Sequence, residues 1–228
     1  MTAAALKILA LVPAYREEGR VGAVVRGVKD YLTDVLVIDD GSPDGTAAEA
    51  AAAGATVIRF PNNRGKGAAL REGFRVAARQ GFDAVVTLDA DGQHDPARIP
   101  AVIAALARGA DVVLGSRLKS LQGMPPARVF SNTFTTAVVS ILAGRLIRDS
   151  QTGYRGLKLA VVSKLPLARK GFDLETELLL KAARTGARFA HVTIPTVYGT
   201  EKSKINVPAD AYRFFRVVAA ELAGRLEV

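Results

Sequence analysis

Two carboxylates standing two residues apart are the sharpest chemical feature of the chain. Asp89-Ala90-Asp91-Gly92-Gln93 follows the apolar run Ala84–Leu88. If that run is a strand, alternation puts Asp89 and Asp91 on one side of the chain. Carboxylates side by side repel unless a cation or a proton intervenes. Oxygen ligands with open positions suit Mg2+ or Mn2+, which combine one or two carboxylates with substrate phosphates. Gln93 adds an amide oxygen. A bare Asp-x-Asp is more often a solvated acidic turn, but the strand in front of this one favours a metal site. Asp39-Asp40-Gly41-Ser42 closes the run Val35–Asp39 in the same way. One of its carboxylates could accept from a ribose or a base N–H. Alone it reads better as an Asx turn; two acidic strand ends in one sheet make coincidence less plausible.

Other chemistry is thinner. Asn63-Arg64-Gly65-Lys66-Gly67 is neither Gly-x-Gly-x-x-Gly after the first strand nor Gly-x-x-x-x-Gly-Lys-Ser/Thr. That counts against a dinucleotide oxidoreductase and a P-loop NTPase. The stretch could still hold phosphate at a helix N-terminus, or be a plain loop. With no Cys, thiolate metal sites, disulfides and thiol nucleophiles are excluded. His94 and His191 are the only imidazoles, which argues against a multi-histidine centre. His94 reads as a neighbour of the acidic turn or as exposed, and His191 as structural. No Ser-His-Asp arrangement suggests itself. Acid or base work would fall to Asp149, Asp173, Glu175 or Glu177, although Asp173 can equally cap a helix and the glutamates favour its first turn.

These residues need a scaffold, and the first 116 residues supply one. Strands are predicted at Leu6–Val12, Val35–Asp39, Thr56–Phe60, Ala84–Leu88 and Asp111–Gly115. Helices fall between them at Glu18–Leu32, Thr46–Ala53, Gly67–Gln80 and Pro96–Arg108, with Asp44 and Asp95 as caps. Such alternation means an α/β fold, a mostly parallel sheet sandwiched by helices. Ligands then bind at the carboxyl ends of the strands, where both acidic motifs stand. The second half reads as an amphipathic helix at Ala127–Ile147, a loop at Asp149–Arg155, a helix at Leu174–Thr185, a strand at Arg188–Val197 and a terminal helix at Ala209–Leu226.

The charge divides at the same place. Of 228 residues, the first 116 carry 13 Lys/Arg and 14 Asp/Glu, the remaining residues 18 and 8. The overall +9 therefore sits in the second half, which predicts an anionic partner there: nucleic acid, a membrane surface or a phosphorylated ligand. Arg117, Arg128, Arg145, Arg148, Arg155, Lys202 and Lys204 are its cations, mostly solvated, two or three of them ligands for phosphate. Nucleic acid is disfavoured, because 14 Phe and Tyr in the whole chain leave no interleaved stacking residues. Val129–Gly144 is charge-free over sixteen residues but short of the ~20 a span requires. It reads as a core helix or as an interfacial one flanked by Arg. The N-terminus is too short for a secretory signal. A cytoplasmic chain, resting on a membrane face, is the expectation.

Taken together, these segments resemble the family 2 glycosyltransferases with the GT-A fold, nearest the polyprenyl-phosphate sugar synthases of the dolichyl-phosphate mannose synthase type. The resemblance is carried by Val12-Pro13-Ala14-Tyr15-Arg16-Glu17-Glu18, Asp39–Ser42, Asn63–Gly67, Asp89–Gln93, Gly115-Ser116-Arg117 and Asp149-Ser150-Gln151-Thr152-Gly153-Tyr154-Arg155. It implies one GT-A catalytic domain over residues 1–228, with a nucleotide-sugar half (1–116) and an acceptor half (117–228). It implies that Pro13, Tyr15, Glu17, Asp39, Asp40, Lys66 and Ala90 hold the nucleotide. Asp89, Asp91 and Gln93 would hold Mg2+ or Mn2+, and Arg117, Arg128 and Lys204 would surround an acceptor phosphate. Asp91, Arg117 and Asp149 would be catalytic. The implied reaction is inverting transfer of a hexose, mannose from GDP-mannose ahead of glucose from UDP-glucose, to polyprenyl phosphate. A phosphate acceptor needs no general base; a hydroxyl acceptor on a soluble molecule or glycan would, with Asp149 or Glu177 as candidates. A noncatalytic nucleotide-sugar or membrane-surface binding protein is the alternative outside enzymes. Many relatives carry C-terminal membrane helices, and this chain reaches Val228 without one. That predicts peripheral contact through Ala127–Ile147, or a soluble acceptor.

Overall fold

The computed structural model describes residues 6–117, 126–195, 214–220 and 223–224. Seven strands form one sheet: β1 (Ile8–Ala14), β2 (Val35–Asp39), β3 (Thr56–Arg59), β4 (Ala84–Thr87), β5 (Val112–Ser116), β6 (Arg155–Lys158) and β7 (Phe189–Thr193). Their order is β3-β2-β1-β4-β6-β5-β7. Only β6 runs against its neighbours, so the expected mostly parallel α/β sheet is borne out. Every residue of β1, β2, β4 and β5 is buried, as a sheet covered on both faces requires. Alternation sends Ile8, Ala10 and Val12 toward α1 (Val21–Lys29), α2 (Thr46–Ala52) and α4 (Ile99–Ala107). Leu9 and Leu11 face the other way. They pack in the layer of α3 (Lys66–Arg79), α5 (Pro126–Ala143), α6 (Leu159–Val162) and α7 (Asp173–Arg184).

The chain builds β2 and β3 on one side of β1 and β4 on the other. The strand order reverses there, and in such sheets the ligand crevice lies outside the carboxyl ends of the strands around that point. Both acidic motifs and the Pro13-Ala14-Tyr15 segment converge on that edge.

Several expectations shift. β1 continues two residues past Val12, through Pro13. Ala10 and Ala14 bond toward β2, so Pro13 faces the β4 side, where pairing ends at Leu11; the missing N–H removes no ladder bond. β4 stops at Thr87, so strand alternation does not orient Asp89 and Asp91; a turn does. Asp95 caps as expected, accepting from Ala97 N–H at 2.9 Å, but over a 3₁₀ turn, Pro96–Arg98, ahead of α4. Gly45, not Asp44, is the N-cap of α2; Asp44 accepts from Thr46 N–H at 3.2 Å from one position upstream. Asp173 is the first residue of α7, not its cap. The predicted loop Asp149–Arg155 runs into β6, a strand absent from the sequence expectation. α5 ends at Ala143, and Ser140 Oγ receives Ile147 N–H at 3.1 Å. The terminal helix is seen at 214–220, where Phe214 and Val217 are buried in the α3/α7 layer.

Candidate active site

A cleft of about 870 Å³ opens where β1 and β2 end. Pro13, Tyr15, Asp40 and Lys66, four of the residues named for the nucleotide, line it along with Arg16, Phe172 and Arg216. Asp40 ties two motifs together: its carboxylate accepts from Arg64 N–H at 2.7 Å and Gly65 N–H at 2.8 Å. Burial pushes its carboxyl above the ordinary value, against those two hydrogen bonds. Gly65 has φ +94°, and a Cβ there would collide with the Lys170 carbonyl. The α3 N-terminus can therefore lie directly against the segment leading into α7, where Ala68 N–H reaches Lys170 O at 3.2 Å.

Other expected nucleotide residues lie elsewhere. Asp39 is fully buried; its carboxylate accepts from Ser42 N–H (3.0 Å) and the Ser42 hydroxyl and pairs with Arg59 at 3.3 Å. It shapes the turn and does not line the cleft. Glu17 pairs with Arg20 at 2.7 Å, while its N–H donates to Thr46 Oγ1. Ala90 is packed in the α1/α4 layer.

At the end of β4 the acidic turn is held from three sides. Lys66 Nζ lies 2.6 Å from Asp89 Oδ1 and 3.2 Å from Glu175 Oε1. Asp89 N–H donates to His94 Nδ1 at 3.0 Å. A Cβ on Gly153 would overlap the Asp89 carboxylate, so glycine is required at that contact. Gly153 O in turn accepts from Thr87 Oγ1 at 2.7 Å, fixing the loop to β4. Burial alone would push the Asp89 carboxyl up, but Lys66 outweighs it and holds it well below the carboxylate range. Burial likewise opposes the Lys66 charge, yet Asp89 and Glu175 hold the ammonium protonated. Burial pushes His94 down to about 4, so it is neutral at pH 7 and able to accept. It is buried, not exposed, and stacks on Tyr154 at 5.4 Å. Asp91 Oδ1 accepts from Gln93 N–H at 2.9 Å.

Among the described residues no three His, Cys, Asp or Glu side chains converge as a ready-made metal cage. The turn offers two carboxylates and an amide. That donor set fits a hard cation that takes its remaining ligands from phosphate and water.

The residues expected to meet the acceptor lie beyond the turn. Arg117 grips Asp149 through two hydrogen bonds, Nε–Oδ2 at 2.7 Å and Nη2–Oδ1 at 3.1 Å. Its charge also reaches Asp89. Both ends of this pair line a second cavity, of about 430 Å³, under α5. Val129, Ala137, Ile141, Leu146 and Ile147 make the rest of its wall largely apolar. Ile141 and Leu146 are 77% and 69% exposed at its rim. The side chain of Arg128, and Lys204, lie outside the described residues.

Three sequence expectations are corrected here. Asp149, offered as a base, is instead held by two bonds to Arg117 and a third from Gln151 N–H. Glu177 is buried, accepting from Ala168 and Arg169 N–H and pairing with Lys181 at 2.7 Å. Arg155 is no surface cation: it is 2% exposed and donates to the carbonyls of Ser150, Thr152 and Glu175. Sequence reasoning left Glu175 undistinguished among its neighbours and gave Gly153 no role of its own. Its only signal for Glu175 was an acidic residue in a first helical turn, and for Gly153 a glycine inside a matched motif.

Residues 10–162 match the model of the family described as glycosyl transferase family 2. The chain is 30% identical to the undecaprenyl-phosphate mannosyltransferase of Micrococcus luteus, over 84% of each protein. It is also 30% identical to the polyprenol monophosphomannose synthase of Mycolicibacterium smegmatis, over 97% of this chain and 89% of that one. In fold it resembles the glucosyl-3-phosphoglycerate synthase of Mycobacterium tuberculosis, crystallised with Mn2+, UDP-glucose and phosphoglyceric acid. The TM-score is 0.75 at 21% identity, covering 95% of this chain and 79% of the other.

Proposed function

The chain belongs to glycosyl transferase family 2, and we propose that it transfers a hexose from a nucleotide-sugar to a polyprenyl phosphate with inversion at the anomeric carbon. Mannose from GDP-mannose is the favoured donor and glucose from UDP-glucose the next. Residues 1–228 act as one catalytic domain, its first half holding the donor and its second the acceptor.

One observation carries the acceptor class: the two carboxylates that a hydroxyl acceptor would call on as a base, Asp149 and Glu177, are already bound. Asp149 is locked to Arg117, and Glu177 to two N–H groups and Lys181. A hydroxyl acceptor would need such a base. A phosphate monoester is already an anion at pH 7 and needs only to be oriented. Arg117, whose Nε–Nη2 edge holds Asp149, would turn the outer edge of its guanidinium to that phosphate at one end of an apolar cavity that suits a prenyl chain. Arg128 and Lys204 would add charge to the same phosphate. Tyr15, Asp40 and Lys66 would hold the nucleotide, and Asp89, Asp91 and Gln93 a Mg2+ or Mn2+ ion. Such an ion would offset the charge growing on the leaving nucleoside diphosphate. The protein's own contribution is to align two anionic reactants and to exclude other geometries.

Among the described residues no helix is long and apolar enough to cross a membrane. Ile141 and Leu146, beside Arg145 and Arg148, would rest in the cytoplasmic face of an anionic bilayer, where the lipid acceptor is reached.

The test is turnover. The purified chain is given labelled GDP-mannose or UDP-glucose, Mn2+ or Mg2+, and vesicles containing polyprenyl phosphate. Label moving into the lipid phase as an acid-labile phosphosugar is expected. Transfer to a soluble acceptor with none to the lipid phosphate would overturn the acceptor, and nucleotide-sugar binding without any turnover would overturn the enzyme.

A further inference from the structure

Glu175, Lys66 and Asp89 form a three-rung ladder of alternating charge, with Lys66 itself lining the cleft. The ammonium of Lys66 sits 2.6 Å from Asp89 and 3.2 Å from Glu175, with side chains 16%, 28% and 10% exposed in the order Lys66, Asp89, Glu175. Lys66 therefore occupies one oxygen of a carboxylate that the proposed function gives to a divalent cation. Two cations on one oxygen, in a site with little water to screen them, repel strongly. A cation that takes Oδ1 requires Lys66 to move off that oxygen, and its four-carbon stem allows it to swing. Leaving for nothing would strand a buried charge.

Glu175 is the seat that receives it. The residue is in the first turn of α7 and buried, and its carbonyl is pinned by Arg155 at 3.0 Å. We infer that Glu175 is a positioning residue of the donor site: it draws the Lys66 ammonium off Asp89, freeing that carboxylate for the divalent cation and turning Lys66 toward the diphosphate. The step rests on the donor-site reading given above.

Mn2+ binding, followed by the paramagnetic signal of the free ion with GDP or UDP present, tests it on the full chain without relying on turnover. Glu175→Asp keeps the charge but shortens its reach. It is expected to weaken Mn2+ roughly five- to tenfold, an ordinary coupling between neighbouring sites. The same change in a Lys66→Met background is expected to do nothing, because Glu175 then has no ammonium to draw. Equal Mn2+ affinity in Glu175→Asp and wild type overturns the inference. So does a weakening that persists in Lys66→Met, which would mean that Glu175 acts on the cation directly. If Glu175→Asp fails to fold, Glu175→Gln carries the same pair of measurements. Wild-type protein that takes up no Mn2+ with either nucleotide overturns the donor-site reading itself.

Discussion

The two cavities are built on opposite principles. The cleft proposed for the donor and the acidic turn behind it are built of groups that hold one another: Asp40 by Arg64 and Gly65, Asp89 by Lys66 and His94, the α3 N-terminus by Lys170. The cavity proposed for the acceptor has a largely apolar surface, carries the Arg117–Asp149 pair and Arg148 in its lining, and leaves Ile141 and Leu146 on its rim in the open. Satisfied buried polar networks fix geometry. Exposed apolar rims mark places where something else is meant to sit. A diphosphate-bearing donor has to be aligned to a fraction of an ångström, whereas a long flexible prenyl chain only has to be kept dry.

If that contrast is right, damage on the donor side should appear in kcat for every acceptor. The largest effect is expected from Asp91→Ala, which removes a carboxylate from the acidic turn without touching α5. Losing one preorganised electrostatic group lowers kcat on the order of a hundred- to a thousandfold. Activity measured at saturating donor, with lipid and short-chain prenyl phosphates alike, should fall together. Unchanged turnover would remove Asp91 from the site.

Gly153→Ala is next and probes packing rather than charge. The new methyl would overlap the Asp89 carboxylate and push it aside. A misplacement of about 1 Å can lower the rate roughly a hundredfold, while overpacking destabilises by about 1–3 kcal/mol. Comparing kcat with the denaturation midpoint separates the two. A variant that loses stability but keeps kcat would mean that Asp89 is free to relocate and that the donor side is less rigid than its bonds imply.

The same contrast explains what could be read from the chain alone. Parallel strands buried on both faces appear as unbroken apolar runs, so β1, β2, β4 and β5 were legible, as were the acidic residues at their ends. β6 was not: Arg155-Gly156-Leu157-Lys158 is short, bears charge at both ends, and becomes a strand only because β4 and β5 flank it. Within the site, residue types showed which groups could do chemistry but not which were already occupied. Asp149 reads as a base until Arg117 closes on it. Arg155 reads as a surface cation until three carbonyls surround it. Glu175 reads as a helix-favouring acid until α3 brings Lys66 alongside. Asp149–Arg117, Glu175–Lys66 and the Arg155 bond to Glu175 join elements distant in sequence, and local periodicity carries no trace of them.

On the acceptor side the expected effect is smaller and confined to the lipid. Replacing Ile141 and Leu146 together by Ser removes two rim side chains, each worth about 1.5–3 kcal/mol when fully transferred out of water. Partial insertion should leave a loss of about tenfold or more in vesicle binding and in KM for a long-chain polyprenyl phosphate in vesicles. Turnover of a short, water-soluble prenyl phosphate should be unchanged, and a parallel loss there would mean that the rim supports the fold of α5 instead.

The smallest effect belongs to neither cavity. Asp111 lies at the start of β5, at the opposite edge of the sheet from the site. There it accepts from Arg188 N–H at 2.9 Å and pairs with the Arg188 guanidinium at 3.4 Å and with Lys158 at 3.5 Å. Burial opposes its charge, but the hydrogen bonds and cations from Arg188 and Lys158 prevail and lower its pKa. A carboxylate depressed in the folded state stabilises fully above its unfolded pKa, near 4, and loses that contribution as pH falls through the lower folded value. Asp111→Asn should therefore destabilise by about 0.5–1 kcal/mol at pH 7, the range of a largely exposed pair. The gap between variant and wild type should close as denaturation is followed from pH 5 downward. Its kinetic constants should match wild type on both substrates. A change in kcat would mean that this edge of the sheet is coupled to the donor cleft, and the rigidity assigned to the cleft's own bonds would then have to be shared with the strands beneath it.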